Sequence, residues 1–291
     1  MQKKGLIIQG VGGIYEIADV ETDEHYSCRA RGIFRHRNIV PSAGDHVIFD
    51  TEELSVDDIL DRRSYLIRPP LANVDLLFIT FAVKKPVPVL LSIDKLISIA
   101  EYQNIEPVII INKADLDEDL AREYYNIYSS SGFTVMISST EKDVSERICE
   151  LTKNKISAFA GASGVGKSTI IGKVFPDHIL ETSGVSRKTE RGRHTTRAVR
   201  LYKLPGGGYI ADTPGFSLLD FTRFDFFSLE DLPGTFRDFA PFIDNCRYAD
   251  CSHTKEEECG ITEAVKNGQI LKSRHESYIS MYNDLKNKHE W

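Results

Sequence analysis

The sequence predicts three consecutive structural regions: a small β-barrel, an α/β domain built on a parallel sheet, and a mostly helical region that binds a metal. Three observations support this prediction. Residues 1–68 contain short strand-like runs separated by turns, and residues 69–222 alternate buried-strand runs with helical stretches. Residues 223–291 are poor in strands and contain a cluster of cysteines. We therefore predict a multidomain chain whose domains occupy these three ranges.

The first region has apolar runs such as GLIIQ, GIYEIADV and DHVIFD, with turns between them. This spacing is typical of a small barrel, and an SH3-like barrel would give much the same pattern. Arg68-Pro69-Pro70 is interpreted as a linker, because proline cannot donate to a strand ladder and restricts the residue before it.

The second region alternates two kinds of segment. Buried-strand runs are predicted at 74–80, 107–111, 133–137, 156–160 and 208–212, and helices at 91–103, 117–131 and 143–153. Such alternation favours a parallel sheet covered on both faces. Beyond residue 223, a helical pattern is predicted near 261–288.

The composition is that of an ordinary soluble protein, with 41% hydrophobic and 27% charged residues. No apolar run approaches the roughly 20 residues that span a bilayer, and no signal peptide is evident. We therefore expect a cytoplasmic protein that does not contact membranes. A monomer is also expected.

The net charge of −7 argues against a protein that coats nucleic acid indiscriminately. Two local basic clusters are nevertheless able to bind a phosphate backbone. They comprise Arg29, Arg31, Arg35, His36 and Arg37, and then Arg187, Lys188, Arg191, Arg193, Arg197 and Arg200. Solvated surface charge is the competing interpretation for each cluster.

A phosphate-binding loop is predicted between the strand run at 156–160 and the helical segment that follows. The pattern G-x-x-x-x-G-K-[ST] is matched by Gly161, Ala162, Ser163, Gly164, Val165, Gly166, Lys167 and Ser168. Main-chain N–H groups of such a loop face the α- and β-phosphates. Lys167 is expected to reach the β- and γ-phosphates, Ser168 to hold Mg²⁺, and Thr169 to contact the nucleotide as well.

The base is predicted to be guanine. Asn112-Lys113-Ala114-Asp115 follows the strand run at 107–111 directly. The Asp115 carboxylate accepts hydrogen bonds from N1–H and the exocyclic amine of guanine, a donor pair that adenine lacks. Asn112 and Lys113 are expected to brace the loop, and Ser138 and Ser139 to face the base through main-chain N–H groups.

Two further segments are predicted to sense the γ-phosphate. Asp212 of Asp212-Thr213-Pro214-Gly215 is expected to bind a water molecule of the Mg²⁺ shell, and the Gly215 amide to contact the γ-phosphate. In the basic loop, Thr195, or alternatively Thr196, would complete Mg²⁺ coordination only when GTP is bound.

The residue that positions the attacking water is less evident. Phe216 occupies the position where many GTPases have a glutamine, and phenylalanine cannot orient water. His194 is the nearest polar candidate, and a structural or RNA-facing histidine is the competing interpretation. We therefore predict Lys167, His194 and Thr195 as the catalytic residues.

The order of these motifs is circularly permuted. Most GTPases have the phosphate loop first and N-K-x-D last, whereas here residues 112–115 precede residues 161–168. The same sheet forms if its former ends are joined and new ends open at a loop.

The C-terminal cysteine cluster predicts a structural zinc site. Cys246, Cys251, His253 and Cys259 supply three thiolates and one imidazole, a tetrahedral set with no open position. Reduced cysteines without a metal are the alternative. Cys28 and Cys149 have no comparable neighbours in the sequence.

With these motifs, the chain resembles the RsgA (YjeQ/YloQ) family of circularly permuted GTPases that act in ribosome assembly. The resemblance covers essentially the whole chain. The segments that carry it are PSAGDHV, RPPLANVD, NKAD, GASGVGKST, RGRHTT, DTPGF and the cysteine cluster. It implies an N-terminal OB-fold, a central GTPase domain and a C-terminal domain with zinc at the four positions above.

The resemblance also implies binding to the small (30S) ribosomal subunit and its 16S rRNA late in maturation, with GTP hydrolysis stimulated by that subunit. OB-folds often bind oligonucleotides, which agrees with the arginines at 29–37. Two departures are the sequence Ser138-Ser139-Thr140 in the guanine-supporting loop and an acidic stretch at 50–61. The competing hypotheses are an RNA-binding protein that holds GTP as a structural ligand and a GTPase acting on another ribonucleoprotein.

Overall fold

The structure is a computed structural model that describes residues 1–32, 34, 39–176, 199–212 and 226–288. The chain divides into two compact units. The first comprises Met1–Leu77, Ser145–Phe159 and Ser168–Phe216, and the second comprises Phe78–Val144, Ala160–Lys167 and Ser217–Trp291. Over the described ranges, no helix combines the length and apolar character needed to cross a membrane.

A five-stranded barrel begins the first unit. Its strands are β1 (Gln2–Val11), β2 (Ile14–Asp19), β3 (His25–Ala30), β4 (His46–Asp50) and β5 (Ser55–Ile59). Strand β1 pairs antiparallel with both β2 and β4, β2 pairs antiparallel with β3, and β4 with β5. Strands β3 and β5 pair in parallel and close the ring. This closed Greek-key arrangement is the OB-fold, so the barrel type that spacing alone left open is established.

The barrel strands form because alternate side chains enter one core. Ile7, Ile17, Val47, Phe49 and Val56 are fully buried in a single cluster. Cys28 belongs to the same cluster, so it is a core residue. Strand β5 lies within the acidic stretch, where no strand was predicted. Its two consecutive aspartates, Asp57 and Asp58, hide the alternation, and Val56 is the buried residue of the strand.

The predicted linker at residues 68–70 instead forms the turn of a short hairpin and the first residue of its second strand. Strands β6 (Tyr65–Ile67) and β7 (Pro70–Ala72) pair antiparallel through Leu66 and Leu71, both of which are buried. Pro70 has no main-chain N–H to donate. It is tolerated there because each strand of a two-stranded hairpin is an edge strand. The prediction of a linker was therefore wrong.

The remaining strands of the first unit extend from the barrel. They are β11 (Ile156–Ala160), β12 (Arg200–Lys203) and β13 (Tyr209–Asp212), in the order β11-β13-β12-β1. Strand β13 pairs in parallel with β11 and antiparallel with β12. Strand β12 pairs with β1 at Gln9 and Arg200, and the Arg200 guanidinium donates to Glu16 Oε2 at 2.6 Å.

The second unit contains a parallel sheet with the order β10-β9-β8. These strands are β8 (Leu76–Ala82), β9 (Glu106–Asn112) and β10 (Thr134–Ile137). The helices of the described residues are α1 (Leu90–Tyr102), α2 (Glu118–Ser130), α3 (Ser145–Thr152), α4 (Lys167–Val174), α5 (Gly260–Lys266) and α6 (Lys272–Lys288). The predicted α/β alternation is confirmed. Strand β8 is buried along its whole length, as expected of a strand covered on both faces.

The C-terminal part of the second unit is mostly helical, as predicted, with α5, α6 and three short 3₁₀ turns at Leu232–Thr235, Arg237–Phe239 and Ile243–Asn245. Arg274 of α6 is almost fully buried. Its guanidinium donates to the Asp94 carboxylate on α1, and to Asp238 at 3.2 Å. This buried ion triad fixes α6 against α1.

Candidate functional site

The phosphate loop requires glycine at both ends. Gly161 and Gly166 have φ angles of +136° and +101°, which side-chain-bearing residues rarely adopt. A Cβ atom on Gly161 would lie 2.0 Å from the Thr80 carbonyl oxygen, and one on Gly166 would lie 2.2 Å from Asn112 Nδ2. The loop therefore packs directly against β8 and the end of β9.

Two side chains join the guanine motif to the phosphate loop. Asn112 Nδ2 donates to the Val165 carbonyl at 2.8 Å. The Lys113 ammonium donates to the Gly164 carbonyl at 2.7 Å and to the Lys85 carbonyl at 2.6 Å. The bracing role predicted for both residues is thus present in the geometry. The contribution of Lys85 was not predicted, because a main-chain carbonyl has no signature in the sequence.

The base-facing loops lie at the ends of two neighbouring parallel strands. Strand β9 pairs with β10 up to Ile111 and Ile137. Ala114 N–H donates to the Ser138 carbonyl at 3.1 Å, and Ser139 Oγ accepts from the Lys142 N–H at 3.0 Å. Asp115 is exposed at this edge. The structure therefore brings 112–115 and 138–139 together, with Asp115 exposed. The main-chain N–H groups of Ser138 and Ser139, which were predicted to face the base, instead donate to the Ile111 and Lys142 carbonyls at 2.8 and 3.0 Å.

Lys167 is held inside the phosphate loop. Its ammonium donates to the Gly161 and Ala162 carbonyls at 2.7 and 2.9 Å. Burial lowers the pKa of Lys167. A phosphate group at this position would oppose that shift, because an opposite charge favours the protonated amine. Ser163, Ser168 and Thr169 are exposed beside it.

The residues proposed for Mg²⁺ supply oxygen ligands, which suit that ion. Ser168 is exposed in the first turn of α4, and Asp212 is the last residue of β13. Strands β11 and β13 are parallel neighbours, so Asp212 lies at the same end of the strand pair as the last residues of β11. His194, Thr195, Thr196 and Gly215 lie outside the described residues, and their predicted roles remain predictions.

The predicted metal ligands converge. The ligand atoms of Cys246, Cys251, His253 and Cys259 all lie within 4.8 Å of one another. The Sγ atoms of Cys246 and Cys259 are 3.7 Å apart, and His253 Nδ1 is 3.4 and 3.6 Å from them. With Zn–S of about 2.3 Å and Zn–N of about 2.0 Å, a tetrahedral site has edges of about 3.8 and 3.5 Å. The cluster therefore fits one zinc ion.

The loop that carries the cluster is supported by residues that the sequence did not reveal. His275 Nε2–H of α6 donates to the His253 carbonyl at 2.7 Å, and Tyr278 Oη–H donates to the Ser252 carbonyl at 2.9 Å. The Glu256 carboxylate accepts from the Ser252 main-chain N–H at 3.1 Å. Burial raises the pKa of Glu256, but its hydrogen bonds prevail and lower it to about 2. These contacts preorganise the ligand loop.

Known proteins resemble this chain in both sequence and fold. The family model described as RsgA GTPase matches residues 59–222, and the RsgA N-terminal domain matches residues 4–56. A small ribosomal subunit biogenesis GTPase RsgA from Ruminiclostridium cellulolyticum is 40% identical over 97% of this chain and 93% of that protein.

Two solved structures are similar over their full length. The crystal structure of YjeQ from Thermotoga maritima has a TM-score of 0.82 and 33% identity, covering 98% of this chain and 99% of that one. The structure of YloQ, described as a circularly permuted GTPase, has a TM-score of 0.81 and 31% identity, covering 99% of this chain and 96% of that one.

Proposed function

Because the chain belongs to the RsgA family and is therefore a GTP-hydrolysing enzyme, we propose that it binds the small (30S) ribosomal subunit and assists its late maturation. The observation that carries this proposal is the 40% identity, over 97% of the chain, to a small ribosomal subunit biogenesis GTPase. It contacts the 16S rRNA of that subunit, and the subunit stimulates the hydrolysis of GTP to GDP and phosphate.

Guanine selection depends on Asp115. Its carboxylate accepts two hydrogen bonds from guanine, and Asn112 and Lys113 hold the motif against the phosphate loop. An adenine nucleotide would leave the carboxylate without donors, so it is rejected.

Hydrolysis depends on the positioning of the attacking water and on the stabilisation of negative charge on the phosphates. When GTP binds, the Lys167 ammonium leaves the Gly161 and Ala162 carbonyls and donates to β- and γ-phosphate oxygens. There it stabilises the negative charge that develops in the transition state. Ser168, Asp212 and Thr195 would hold Mg²⁺, which supplies further charge neutralisation when bound, and Thr196 is the alternative to Thr195. His194 orients the attacking water in this proposal.

Fewer arginines of the barrel are available to bind rRNA than the sequence suggests. Arg29 on β3 is exposed, whereas Arg31 pairs with Glu53 at 2.7 Å and with Asp57 at 2.9 Å. Paired guanidinium groups contribute less to phosphate attraction than free ones do. Among the described arginines of this cluster, we therefore assign the main RNA contact to Arg29. Arg35, His36 and Arg37 lie outside the described residues.

The experiment that tests the proposal measures GTP hydrolysis alone, with purified small subunits and with large subunits. We expect stimulation by small subunits only. The Asp115→Asn variant provides the control, because its amide donates to the C2 carbonyl of xanthine and not to the guanine amine. Its stimulated activity should fall with GTP and recover with XTP.

The two outcomes separate the candidate functions. Stimulation by neither subunit, with GTP binding intact, would mean that the enzyme acts on a different partner. If small subunits bind equally well with GTP and with GDP and never accelerate hydrolysis, the protein uses GTP as a structural ligand. In the assembly-factor function, subunit affinity depends on which nucleotide is bound.

A further inference from the structure

Two consecutive lysines, Lys84 and Lys85, hold the two ends of the turn that carries Asp115. At the beginning of this turn, the Lys113 ammonium donates to the Lys85 carbonyl at 2.6 Å. At its end, the Lys84 ammonium pairs with Asp117 Oδ2 at 2.8 Å. Asp115 lies between these two contacts, so the segment that follows β8 fixes the guanine motif from both sides.

The turn depends on such contacts because its backbone is strained where it begins. Lys113 has a φ angle of +58°, in the left-handed region that side-chain-bearing residues rarely adopt. A residue in this conformation persists only when its surroundings hold it there. Within the turn, Leu116 N–H donates to the Lys113 carbonyl and Asp117 N–H to the Ala114 carbonyl, both at 3.1 Å. These bonds close the turn, whereas its placement depends on contacts with other segments.

The Asp117 carboxylate uses its two oxygens for different partners. Oδ1 accepts from the Leu120 N–H at 3.1 Å and caps the N-terminus of helix α2, whereas Oδ2 pairs with the Lys84 ammonium. The Lys84 ammonium and, after it, the Leu120 N–H lower the pKa of Asp117. The ionised carboxylate therefore joins α2 to the segment after β8, and Lys84 offsets a negative charge two residues away from Asp115.

Guanine recognition requires accurate placement of the Asp115 carboxylate. It must accept from N1–H and from the exocyclic amine at the same time, and hydrogen bonds weaken steeply as their angles worsen. Hypoxanthine keeps N1–H but lacks that amine, so it forms only one of the two bonds. The ratio of the affinities for GDP and inosine diphosphate (IDP) therefore reports the placement of Asp115, because the ribose and phosphate contacts are common to both nucleotides.

We propose that Lys84 is a positioning residue for guanine recognition: by pairing with Asp117 it holds the end of the turn and places the Asp115 carboxylate against both donors of the base. Lys84 acts through Asp117 rather than on the base itself. This inference rests on the guanine-binding role proposed for Asp115.

The test titrates the full chain with GDP and with IDP by calorimetry. Lys84→Met removes the ammonium and keeps the aliphatic stem. The paired side chains are 49% and 29% exposed, so we expect the GDP affinity to fall by about two- to fivefold, and the GDP-to-IDP ratio to fall with it. Lys84→Arg keeps the charge and should keep the wild-type ratio. Lys153→Met, at an exposed lysine after α3, is the matched control and should change neither affinity.

Asp117→Asn separates the ion pair from the helix cap. Asparagine caps helices about as well as aspartate does, but it has no charge to pair with Lys84. The ratio should fall as it does in Lys84→Met, and the double variant should be no worse than either single one, because both remove the same interaction. The difference between wild type and Lys84→Met should also shrink at about 1 M potassium chloride, which screens exposed pairs. Additive losses in the double variant, or a difference independent of salt, would overturn the pairing.

Asp115→Asn distinguishes a failure of this inference from a failure of the proposed function. An amide has one acceptor oxygen where guanine offers two donors, so this variant should lower the GDP-to-IDP ratio further than Lys84→Met does. If Asp115→Asn lowers the ratio and Lys84→Met leaves it unchanged, guanine recognition by Asp115 stands and the role of Lys84 is wrong. If neither variant changes the ratio, the guanine-binding role of Asp115 is wrong as well.

Discussion

Asn112 and Val165 join two motifs that lie far apart in the chain: the Asn112 side-chain amide donates to the Val165 carbonyl at 2.8 Å. The bond spans 53 positions of sequence and fixes the guanine motif against the phosphate loop. We expect Asn112→Ala to weaken GDP binding by about fivefold to tenfold, the effect of one such bond. Isothermal titration with GDP measures this. Asn267→Ala, at an exposed asparagine after α5, is the control, and equal affinities in both variants would contradict the bracing role.

The metal centre can be tested by cysteine replacement. The cluster fits one zinc ion, so we expect one zinc per chain by elemental analysis. Cys246→Ser removes one thiolate ligand and should lower both the zinc content and the melting temperature, because metal binding stabilises only the folded state. Cys149→Ser changes an exposed thiol outside the cluster and should leave both unchanged. Full zinc occupancy in Cys246→Ser would exclude this ligand set.

The buried ion triad of Arg274, Asp94 and Asp238 should stabilise the packing of α6 against α1 more than the exposed ion pair between these helices does. Arg274→Met leaves the carboxylates of Asp94 and Asp238 buried without their partner. We expect the free energy of unfolding to fall by about 3–5 kcal/mol, measured by urea titration. Lys95→Met breaks the more exposed pair with Asp284 in the same helix pair and should cost about 1 kcal/mol or less. Equal losses of unfolding free energy in the two variants would show that burial of the charges does not determine how much an ion pair stabilises the fold.

Acid should weaken the barrel through Asp19. The Lys3 ammonium, 2.5 Å away, and the Glu21 main-chain N–H lower the pKa of Asp19 to about 2. The unfolded carboxyl has a pKa of about 3.9, so its stabilisation is complete above that pH and is lost as the pH falls toward 2. The urea midpoints of the wild type and Asp19→Asn should therefore differ at pH 5 and converge near pH 2.

Lys3→Met provides an independent check of this prediction. Removal of the ammonium raises the pKa of Asp19 toward its unfolded value, so the variant should lose less stability than the wild type between pH 4 and pH 2. A difference between wild type and Asp19→Asn that is constant from pH 5 to pH 2 would rule out this origin of acid sensitivity.

Local patterns predicted most elements of the α/β region. The runs around Ile109 and Phe159 are almost entirely apolar, and helix α2 has a clear N-cap in Asp117. The phosphate loop and guanine motif are short segments whose spacing reflects the shape of the nucleotide. The structure brings these predicted residues together because both motifs follow the ends of buried strands.

Features that depend on long-range partners were not predictable. The parallel pair β3–β5 that identifies the OB-fold joins segments separated by some 25 residues, and nothing local encodes it. Arg274 has the sequence context of a solvated helix charge, yet its partner Asp94 lies 180 positions earlier. The role of the Lys85 carbonyl, which accepts from the Lys113 ammonium, depends entirely on what surrounds it in space.

The pairing of β12 with β1 has a consequence for anyone who dissects this protein. Removal of residues 1–68 as a presumed detachable module would strip β12 of its neighbour on one side and leave Arg200 without Glu16. Strand β12 would then be an edge strand of its sheet, and exposed edges invite association between copies. Shortened versions of the enzyme should therefore be judged by their solubility before any loss of activity is assigned to missing RNA contacts.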